Sequence, residues 1–211
     1  MLALWHWIVA GYLRLIEPII EFCVRRRISP NTITTVGTLW CLLVGFLFAT
    51  GRISLAGWTL GLTAFFDVVD GAVARRTGTA TAFGSFYDAT LDRVADAALF
   101  GGLAYFFASD WRFQSPAMVA LCLLALTATF LTSYTRSRAE LLGIPMKGVG
   151  LFERPERITL LAAPQAFFGL ALDGWILRMV VLVLALTAVV TVIQRVRHVA
   201  RESGYLRAQD D

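Results

Sequence analysis

The sequence predicts an all-α, polytopic membrane protein in which one amphipathic helix on the membrane surface precedes six transmembrane helices. Of its 211 residues, 57% are hydrophobic and only 16% are charged, an apolar content above that of a soluble domain of this size. Apolar stretches of about 20 residues, the length that crosses a bilayer, recur between short polar turns. Cys23, Cys41 and Cys122 are scattered through apolar segments without metal-site spacing and are interpreted as core residues.

Residues 1–28 are predicted to form the amphipathic helix. His6, Arg14, Glu17, Glu21 and Arg25 recur at helical intervals and form one polar stripe on a segment otherwise rich in Trp and Leu. Such a stripe favours a helix that lies in the membrane surface over one that crosses it. A first spanning helix is the alternative.

The six spans follow the helix-breaking sequence Ser29-Pro30-Asn31. Their approximate positions are residues 32–50, 54–75, 84–108, 117–141, 154–172 and 175–195. The predicted six-helix domain therefore covers residues 29–200, and a polar tail covers residues 201–211.

The distribution of positive charge predicts the orientation. With six spans both termini lie on the same side of the membrane, and 15 of the 19 Lys and Arg residues fall on that side. Only Arg52, Arg112 and Arg178 fall on the other side, and Arg93 lies within a helix. Because Lys and Arg accumulate in cytoplasmic loops, we expect the termini to be cytoplasmic and the protein to reside in the cell (inner) membrane.

Four aspartates are the candidate functional residues. Asp67 and Asp70 are spaced i, i+3, and Asp88 and Asp92 are spaced i, i+4, so each pair shares one helix face. The two helices are predicted to be adjacent and antiparallel, so their acidic faces converge. Each Asp inside a membrane helix costs about 2.5–3.5 kcal/mol, and two divalent cations would balance the four charges. Oxygen ligands favour Mg²⁺ or Mn²⁺. Acids that line a water-filled cavity or pair with arginines are the alternative.

Eight positions of this region stand at fixed spacings: Asp67-x2-Asp70-Gly71-x2-Ala74-Arg75-x8-Gly84-x3-Asp88-x3-Asp92. This pattern resembles the complete signature of the CDP-alcohol phosphotransferases. The resemblance implies an enzyme that transfers the phosphatidyl group of CDP-diacylglycerol to an alcohol, releases CMP and forms a homodimer. It further implies that Asp67, Asp70 and Asp88 bind the metal ions, and that Asp92 is the general base and also contacts a metal. The aspartate site would then face the cytoplasm.

Four neighbouring signature residues are expected to bind the CDP-lipid. Gly71 and Ala74 share one helix face, where small side chains let a nucleotide approach the backbone. Arg75 is suited to grip the diphosphate through its planar guanidinium, and Gly84 leaves room for cytosine. The alternative for the three small residues is close packing between helices.

Two further polar residues, Asn31 and Thr34, follow Pro30 at the mouth of the first predicted span. They are positioned to line the nucleotide pocket, with a simple helix-capping role as the alternative. Asp96 lies one turn beyond Asp92 on the same stripe. It is outside the signature, and its role is left open.

Residues 133–140, 153–157 and 194–195 resemble the phosphatidylinositol-phosphate synthases of actinobacterial type. In those enzymes a cationic pocket takes the phosphate of inositol phosphate, at positions that match Arg136, Arg154 and Arg195. The position of Arg136 is commonly Lys there. The alternative is that arginines at helix ends anchor the protein at the membrane surface, and we assign three others to it: Arg138, Arg157 and Arg197.

Three functions compete at this point. The leading one is synthesis of an inositol phospholipid phosphate from CDP-diacylglycerol and inositol phosphate, with phosphatidylglycerophosphate or phosphatidylserine synthesis as the alternative within the family. A small-substrate transporter or cation channel would also place acids in a helical membrane domain, but it would not require Gly71, Ala74, Arg75 and Gly84. The sequence contains no nucleic-acid-binding motif.

Overall fold

The computed structural model describes residues 16–79 and 81–204, and the predicted all-α fold is confirmed. Residues 16–25 form helix α1. The other elements are α2 (Pro30–Ala49), α3 (Ile53–Gly61), α4 (Thr63–Thr77), α5 (Ala82–Ser109), α6 (Pro116–Leu141), α7 (Arg154–Phe168), a 3-10 turn (Leu172–Gly174) and α8 (Trp175–Glu202).

Three stretches of the described chain are long and apolar enough to cross a membrane. They are Pro30–Ala49, Pro116–Leu141 and Leu172–Glu202, which correspond to the first, fourth and sixth predicted spans. The protein is therefore a multi-pass membrane protein with helical spans. A total of six spans remains a prediction.

The second predicted span, residues 54–75, consists of two helices rather than one. Helix α3 has 9 residues and α4 has 15, and the hydrogen-bonding pattern is interrupted at Leu62. The backbone of Leu62 keeps helical dihedrals (φ −75°, ψ −14°), so one residue of helical conformation separates the two helices. Gly61 precedes it, and glycine weakens a helix because it gives up the most conformational freedom.

The fifth predicted span, residues 154–172, also differs from the structure. Helix α7 ends at Phe168 after 15 residues, which at 1.5 Å per residue is about 22 Å, less than the roughly 30 Å of a bilayer core. Gly169 ends the helix with φ of +51°, a backbone conformation that favours glycine. Periodicity alone did not indicate this end, because apolar residues continue beyond it.

The helices pack into two compact units. The first unit contains the described residues up to Cys41 together with Leu62–Ala95, and the second contains Leu42–Gly61 together with the described residues from Asp96 onward. The candidate aspartates belong to the first unit. The candidate acceptor arginines belong to the second.

The core of the first unit forms where α1 packs against α2 and α4. Its buried members are Ile16, Ile20, Cys23, Ile33, Val69 and Val73. Glu17 of α1 also contacts α4: its carboxylate lies 2.7 Å from the Arg76 guanidinium, and a hydrogen bond from Arg76 lowers the pKa of that carboxyl. Two further members of the predicted polar stripe, Glu21 and Arg25, are exposed on α1 and pair with each other. His6 and Arg14 lie outside the described residues, and the position of α1 at the membrane surface remains a prediction.

The second unit contains close helix contacts at glycine. A Cβ atom at Gly102 would collide with the backbone carbonyl of Gly45, and one at Gly57 would collide with the backbone of α7 at Ala166. Such contacts between backbones need residues without side chains. These glycines therefore set the helix spacing in the second unit.

We expect Gly102→Ala to lower the free energy of unfolding by about 1–3 kcal/mol, because the new methyl group must displace the Gly45 backbone. The measurement is thermal unfolding of the purified protein in detergent. Gly101→Ala is the matched control: a Cβ at Gly101 meets no other atom within 4 Å, so it should leave stability unchanged or raise it by up to about 1 kcal/mol. Equal effects at both positions would contradict the assignment.

Candidate active site

A cavity of about 420 Å³ lies within the first unit, between the start of α2, the end of α4 and the start of α5. Its walls combine two carboxylates, one guanidinium, several hydroxyl groups and small residues. The lining residues are Pro30, Asn31, Thr34, Asp70, Gly71, Ala74, Arg75, Thr79, Thr81, Gly84, Ser85 and Asp88. An anionic ligand with oxygen-bound cations fits the chemistry of these groups.

The cavity brings together every residue that the sequence indicated for the CDP-lipid. These residues are Asn31, Thr34, Gly71, Ala74, Arg75 and Gly84. Asp70 and Asp88, from the two predicted acidic pairs, line the same cavity. Residues about 50 positions apart in the sequence thus share one site.

The start of α2 is held in place by local hydrogen bonds. The Ser29 hydroxyl accepts a hydrogen bond from the Thr32 backbone N–H at 3.2 Å, which satisfies a donor in the first helical turn. Thr34 then donates its hydroxyl proton to Asp70 Oδ2 at 2.8 Å. The helix-capping alternative for Thr34 is therefore wrong: its side chain bonds an aspartate of α4, and Ser29 is the capping residue.

The turn between α4 and α5 places Arg75 and Gly84 at the same cavity. Gly78 ends α4 in the left-handed conformation, with φ of 63°, and its N–H donates to the Ala74 carbonyl. At the start of α5, Thr81 accepts a hydrogen bond from the Gly84 N–H at 3.0 Å.

Four lining residues were missed by the sequence analysis: Pro30, Thr79, Thr81 and Ser85. A signal existed for Thr81, because a threonine three residues before a glycine at a predicted helix start has the spacing of an N-cap. Thr79, in the same connection, had no such pattern. Pro30 was predicted only to break the helix before the first span.

The two signature glycines at the cavity differ from the glycines that pack helices together. A Cβ at Gly71 would meet only the Arg75 guanidinium, at 3.2 Å, and one at Gly84 would meet side-chain oxygens of Thr81 and Asn31, at 3.2 and 3.4 Å. Among the described residues, the nearest atoms to both positions are therefore polar side-chain atoms rather than the backbone of a neighbouring helix. This arrangement favours a role in the cavity over close helix packing.

The three predicted metal ligands with described side chains, Asp70, Asp88 and Asp92, differ in exposure. Asp70 is half-buried and Asp88 is exposed in the cavity wall. Asp92 is half-buried one turn further along α5, with its carboxylate 3.9 Å from the Arg93 guanidinium. The Asp67 side chain lies outside the described set, and the remaining described side chains contain no group of three acidic, His or Cys residues arranged around one ion position.

The three predicted acceptor arginines have different partners. The Arg136 guanidinium lies 2.9 Å from Glu140 on the exposed end of α6. Arg154, at the start of α7, pairs with Asp96 at 3.8 Å. Arg195 donates to the Val149 carbonyl at 3.0 Å and to the Thr132 carbonyl.

The three arginines lie near the ends of helices in the second unit. Arg136 lies near the end of α6, Arg154 is the first residue of α7, and Arg195 lies near the end of α8. Glu140 pairs with Arg136, and Glu153 directly precedes Arg154, so two acidic residues accompany these arginines.

Arg157 corrects one sequence-based assignment. We assigned it to membrane anchoring, but its guanidinium donates to the Phe152 carbonyl at 3.2 Å and to the hydroxyls of Thr129 and Thr132 at 3.4 Å. It therefore holds the loop before α7 against α6. No position-based rule separates such an arginine from an anchoring one, because both stand at helix ends.

The same loop is held on its other side by α8. Thr191 accepts a hydrogen bond from the Leu151 N–H at 3.2 Å, and Gly150 has φ of +140°. A Cβ at Gly150 would lie 2.7 Å from a Thr191 methyl carbon. Together with Arg157 and Arg195, these contacts fix the chain that leads into Arg154.

Comparison with known proteins identifies the family of this chain. The family model for CDP-alcohol phosphatidyltransferase matches residues 27–199. The phosphatidylinositol phosphate synthase of Mycobacteroides abscessus is 37% identical over 196 residues, which are 92% of this chain and 88% of that protein.

Two crystal structures of the Mycobacterium tuberculosis phosphatidylinositol phosphate synthase are also similar. The structure with CDP-DAG bound has a TM-score of 0.79 at 31% identity, over 89% of this chain and 94% of that chain. The structure in complex with manganese and citrate has a TM-score of 0.77 at 31% identity, over 86% and 87%. The signature at the cavity and the family match over most of the chain lead to one conclusion: this protein belongs to the CDP-alcohol phosphatidyltransferase family of membrane enzymes.

Proposed function

We propose that the enzyme transfers the phosphatidyl group of CDP-diacylglycerol to a hydroxyl of inositol phosphate and releases CMP. One observation carries the nucleotide-lipid half of this proposal: all six expected CDP-lipid residues line one cavity together with Asp70 and Asp88. The similarity to phosphatidylinositol phosphate synthases supports the acceptor. Membership of an enzyme family sets aside the transporter and channel alternatives.

In this proposal Arg75 grips the diphosphate, and Gly71, Ala74 and Gly84 make room for the nucleotide. Asn31 and Thr34 complete the wall at the start of α2. The Thr34 hydroxyl also orients Asp70, because it donates a hydrogen bond to one of its carboxylate oxygens.

Asp67, Asp70, Asp88 and Asp92 would hold the metal, which we propose to be two Mg²⁺ or Mn²⁺ ions. The donor set fits, because Asp70 and Asp88 present hard carboxylate oxygens to the cavity that also contains Arg75. The similar structure with manganese supports a divalent ion. When bound, such ions neutralise charge on the phosphoryl oxygens and on the departing CMP.

Asp92 would act as the general base. It takes the proton of the acceptor hydroxyl while the hydroxyl oxygen forms a bond to the lipid phosphorus and the bond from that phosphorus to CMP breaks. Its place one helical turn from Asp88 puts the base on the same face of α5 as a proposed metal ligand.

Arg136, Arg154 and Arg195 would bind the phosphate of the acceptor. An uncharged alcohol would offer these guanidiniums no anion, and this favours a phosphorylated polyol. Phosphatidylglycerophosphate synthesis, whose acceptor is also phosphorylated, and phosphatidylserine synthesis are the alternatives. An assay with labelled acceptors separates the three reactions.

We also propose the arrangement in the membrane. Residues 1–28 lie at the membrane surface, residues 29–200 form the six-helix catalytic domain and residues 201–211 form a tail. The positive-inside bias supports cytoplasmic termini and a cytoplasmic active site. A homodimer follows only from the family resemblance.

Asp88→Asn should reduce CMP release from CDP-diacylglycerol by about a hundredfold or more, because it removes one of the proposed metal-binding carboxylates. The assay measures CMP at several Mg²⁺ concentrations, with thermal unfolding as the test of folding. Glu202→Gln, an exposed acid at the end of α8, is the control and should retain activity. A near-normal rate for Asp88→Asn with Mg²⁺ would refute the metal assignment.

Asp92→Asn should lower kcat by about 10²–10⁴-fold, the usual contribution of a general base, with little change in the binding of CDP-diacylglycerol or metal. Single-turnover kinetics measure the rate of the chemical step, and an equilibrium binding experiment measures the affinity for CDP-diacylglycerol. Loss of nucleotide binding in proportion to the loss of rate would instead identify Asp92 as primarily a metal ligand.

Arg136→Gln should raise the KM for inositol phosphate by about ten- to a hundredfold, because a charge-assisted bond contributes about 1.5–3 kcal/mol. The KM for CDP-diacylglycerol should not change. Arg138→Gln, two residues further along the same exposed helix end, is the matched control. Equal effects of the two variants, or efficient use of free inositol or serine by the unmodified enzyme, would exclude a phosphate pocket at Arg136.

A further inference from the structure

Asp96 is a buried carboxylate that the signature does not explain. It lies on α5 one turn beyond Asp92, on the face shared by Asp88 and Asp92, and it is only 5% exposed. Its Oδ1 atom is 3.8 Å from Arg154 Nε, and the exposed fraction of the Arg154 side chain is 22%. The second unit therefore contains a largely buried ion pair between α5 and α7.

The backbone of Arg154 is held in place independently of its ion pair with Asp96. Arg154 is the first residue of α7, and Glu153 and Glu156 form a reciprocal capping box around it, in which the Glu153 N–H donates to Glu156 at 2.8 Å. The capping box holds the backbone, but several side-chain torsions separate it from the guanidinium. The Oδ1 atom of Asp96 lies 3.8 Å from Nε, the guanidinium nitrogen nearest the stem. This is an ion-pair distance rather than a hydrogen bond, and the attraction favours side-chain conformations of Arg154 that keep the guanidinium beside Asp96.

We infer that Asp96 is a positioning residue, which holds the Arg154 guanidinium ready for the phosphate of the acceptor; the inference rests on the proposed function. An arginine that is already oriented loses less conformational freedom when it binds an anion. A bidentate grip on a phosphate also depends on the plane of the guanidinium. Asp96 itself does not touch the acceptor in this assignment.

A positioning role for Asp96 and a purely electrostatic role predict opposite changes in the KM for inositol phosphate when Asp96 is replaced by Asn. The negative charge of Asp96 repels a phosphate, so by charge alone Asp96→Asn should strengthen acceptor binding and lower the KM for inositol phosphate. If Asp96 positions Arg154, the same substitution should weaken acceptor binding. A purely structural ion pair would lower stability without a selective effect on either substrate.

The experiment measures the KM for inositol phosphate, the KM for CDP-diacylglycerol and kcat of Asp96→Asn in the full-length enzyme. We expect the KM for inositol phosphate to rise about tenfold, with the KM for CDP-diacylglycerol unchanged. In an Arg154→Gln background Asp96→Asn should cause no further rise, because both changes act through one guanidinium.

The control variant is Asp173→Asn, which removes the carboxylate of a different, exposed ion pair with Arg112 and should leave all three constants unchanged. An unchanged or lowered acceptor KM in Asp96→Asn overturns the inference, as does a rise that adds fully to that of Arg154→Gln. If Asp96→Asn does not fold, Asp96→Glu, which keeps the charge but shifts the carboxylate, replaces it with the same criteria.

The outcomes also separate this inference from the proposed function. If Arg154→Gln raises the KM for inositol phosphate and Asp96→Asn does not, only the positioning role fails. If Arg154→Gln itself leaves that KM unchanged, the acceptor site of the proposed function fails at Arg154, and the inference fails with it.

Discussion

A carboxylate on a helix that packs among apolar residues must meet a hydrogen-bond donor or a cation, and this requirement connects helices in both units. Asp70 of α4 accepts a hydrogen bond from Thr34 of α2, which closes one side of the cavity. Asp96 of α5 meets Arg154 of α7. Each of these contacts sets a hydrogen-bond donor or a cation against a carboxylate that has lost part of its hydration, and each joins helices that are distant in the sequence.

Glycine has two distinct uses in this enzyme. At Gly45, Gly57 and Gly102 a side chain would collide with the backbone of a neighbouring helix, so glycine there sets how closely the helices of the second unit approach. At Gly71 and Gly84 the space is bordered by polar side chains instead. The same residue type thus supports a dense scaffold in one unit and an open polar cavity in the other.

Arginines at the helix ends contribute to the positive-inside charge distribution, and some of them also hold loops in place through hydrogen bonds. Arg157 and Arg195 both donate to backbone carbonyls of the loop before α7, although their positions also fit a positive-inside pattern. Arg136 pairs with Glu140 at the exposed end of α6. The described contacts therefore tie Arg157 and Arg195 to the loop backbone and Arg136 to a side chain of its own helix.

The sequence by itself determined the helical class, the polar stripe of α1 and the positions of most helix ends, because these depend on local periodicity and on Pro and Gly signals. It also determined the family, because the signature residues stand at fixed spacings, and it predicted the six CDP-lipid residues that line the cavity together with Asp70 and Asp88. Only the tertiary structure decided the interruption between α3 and α4 at Leu62, the early end of α7, the partner of Asp96 and the role of Arg157. These features depend on which groups meet across helices that are far apart in the chain, and such contacts leave no periodic trace in the sequence.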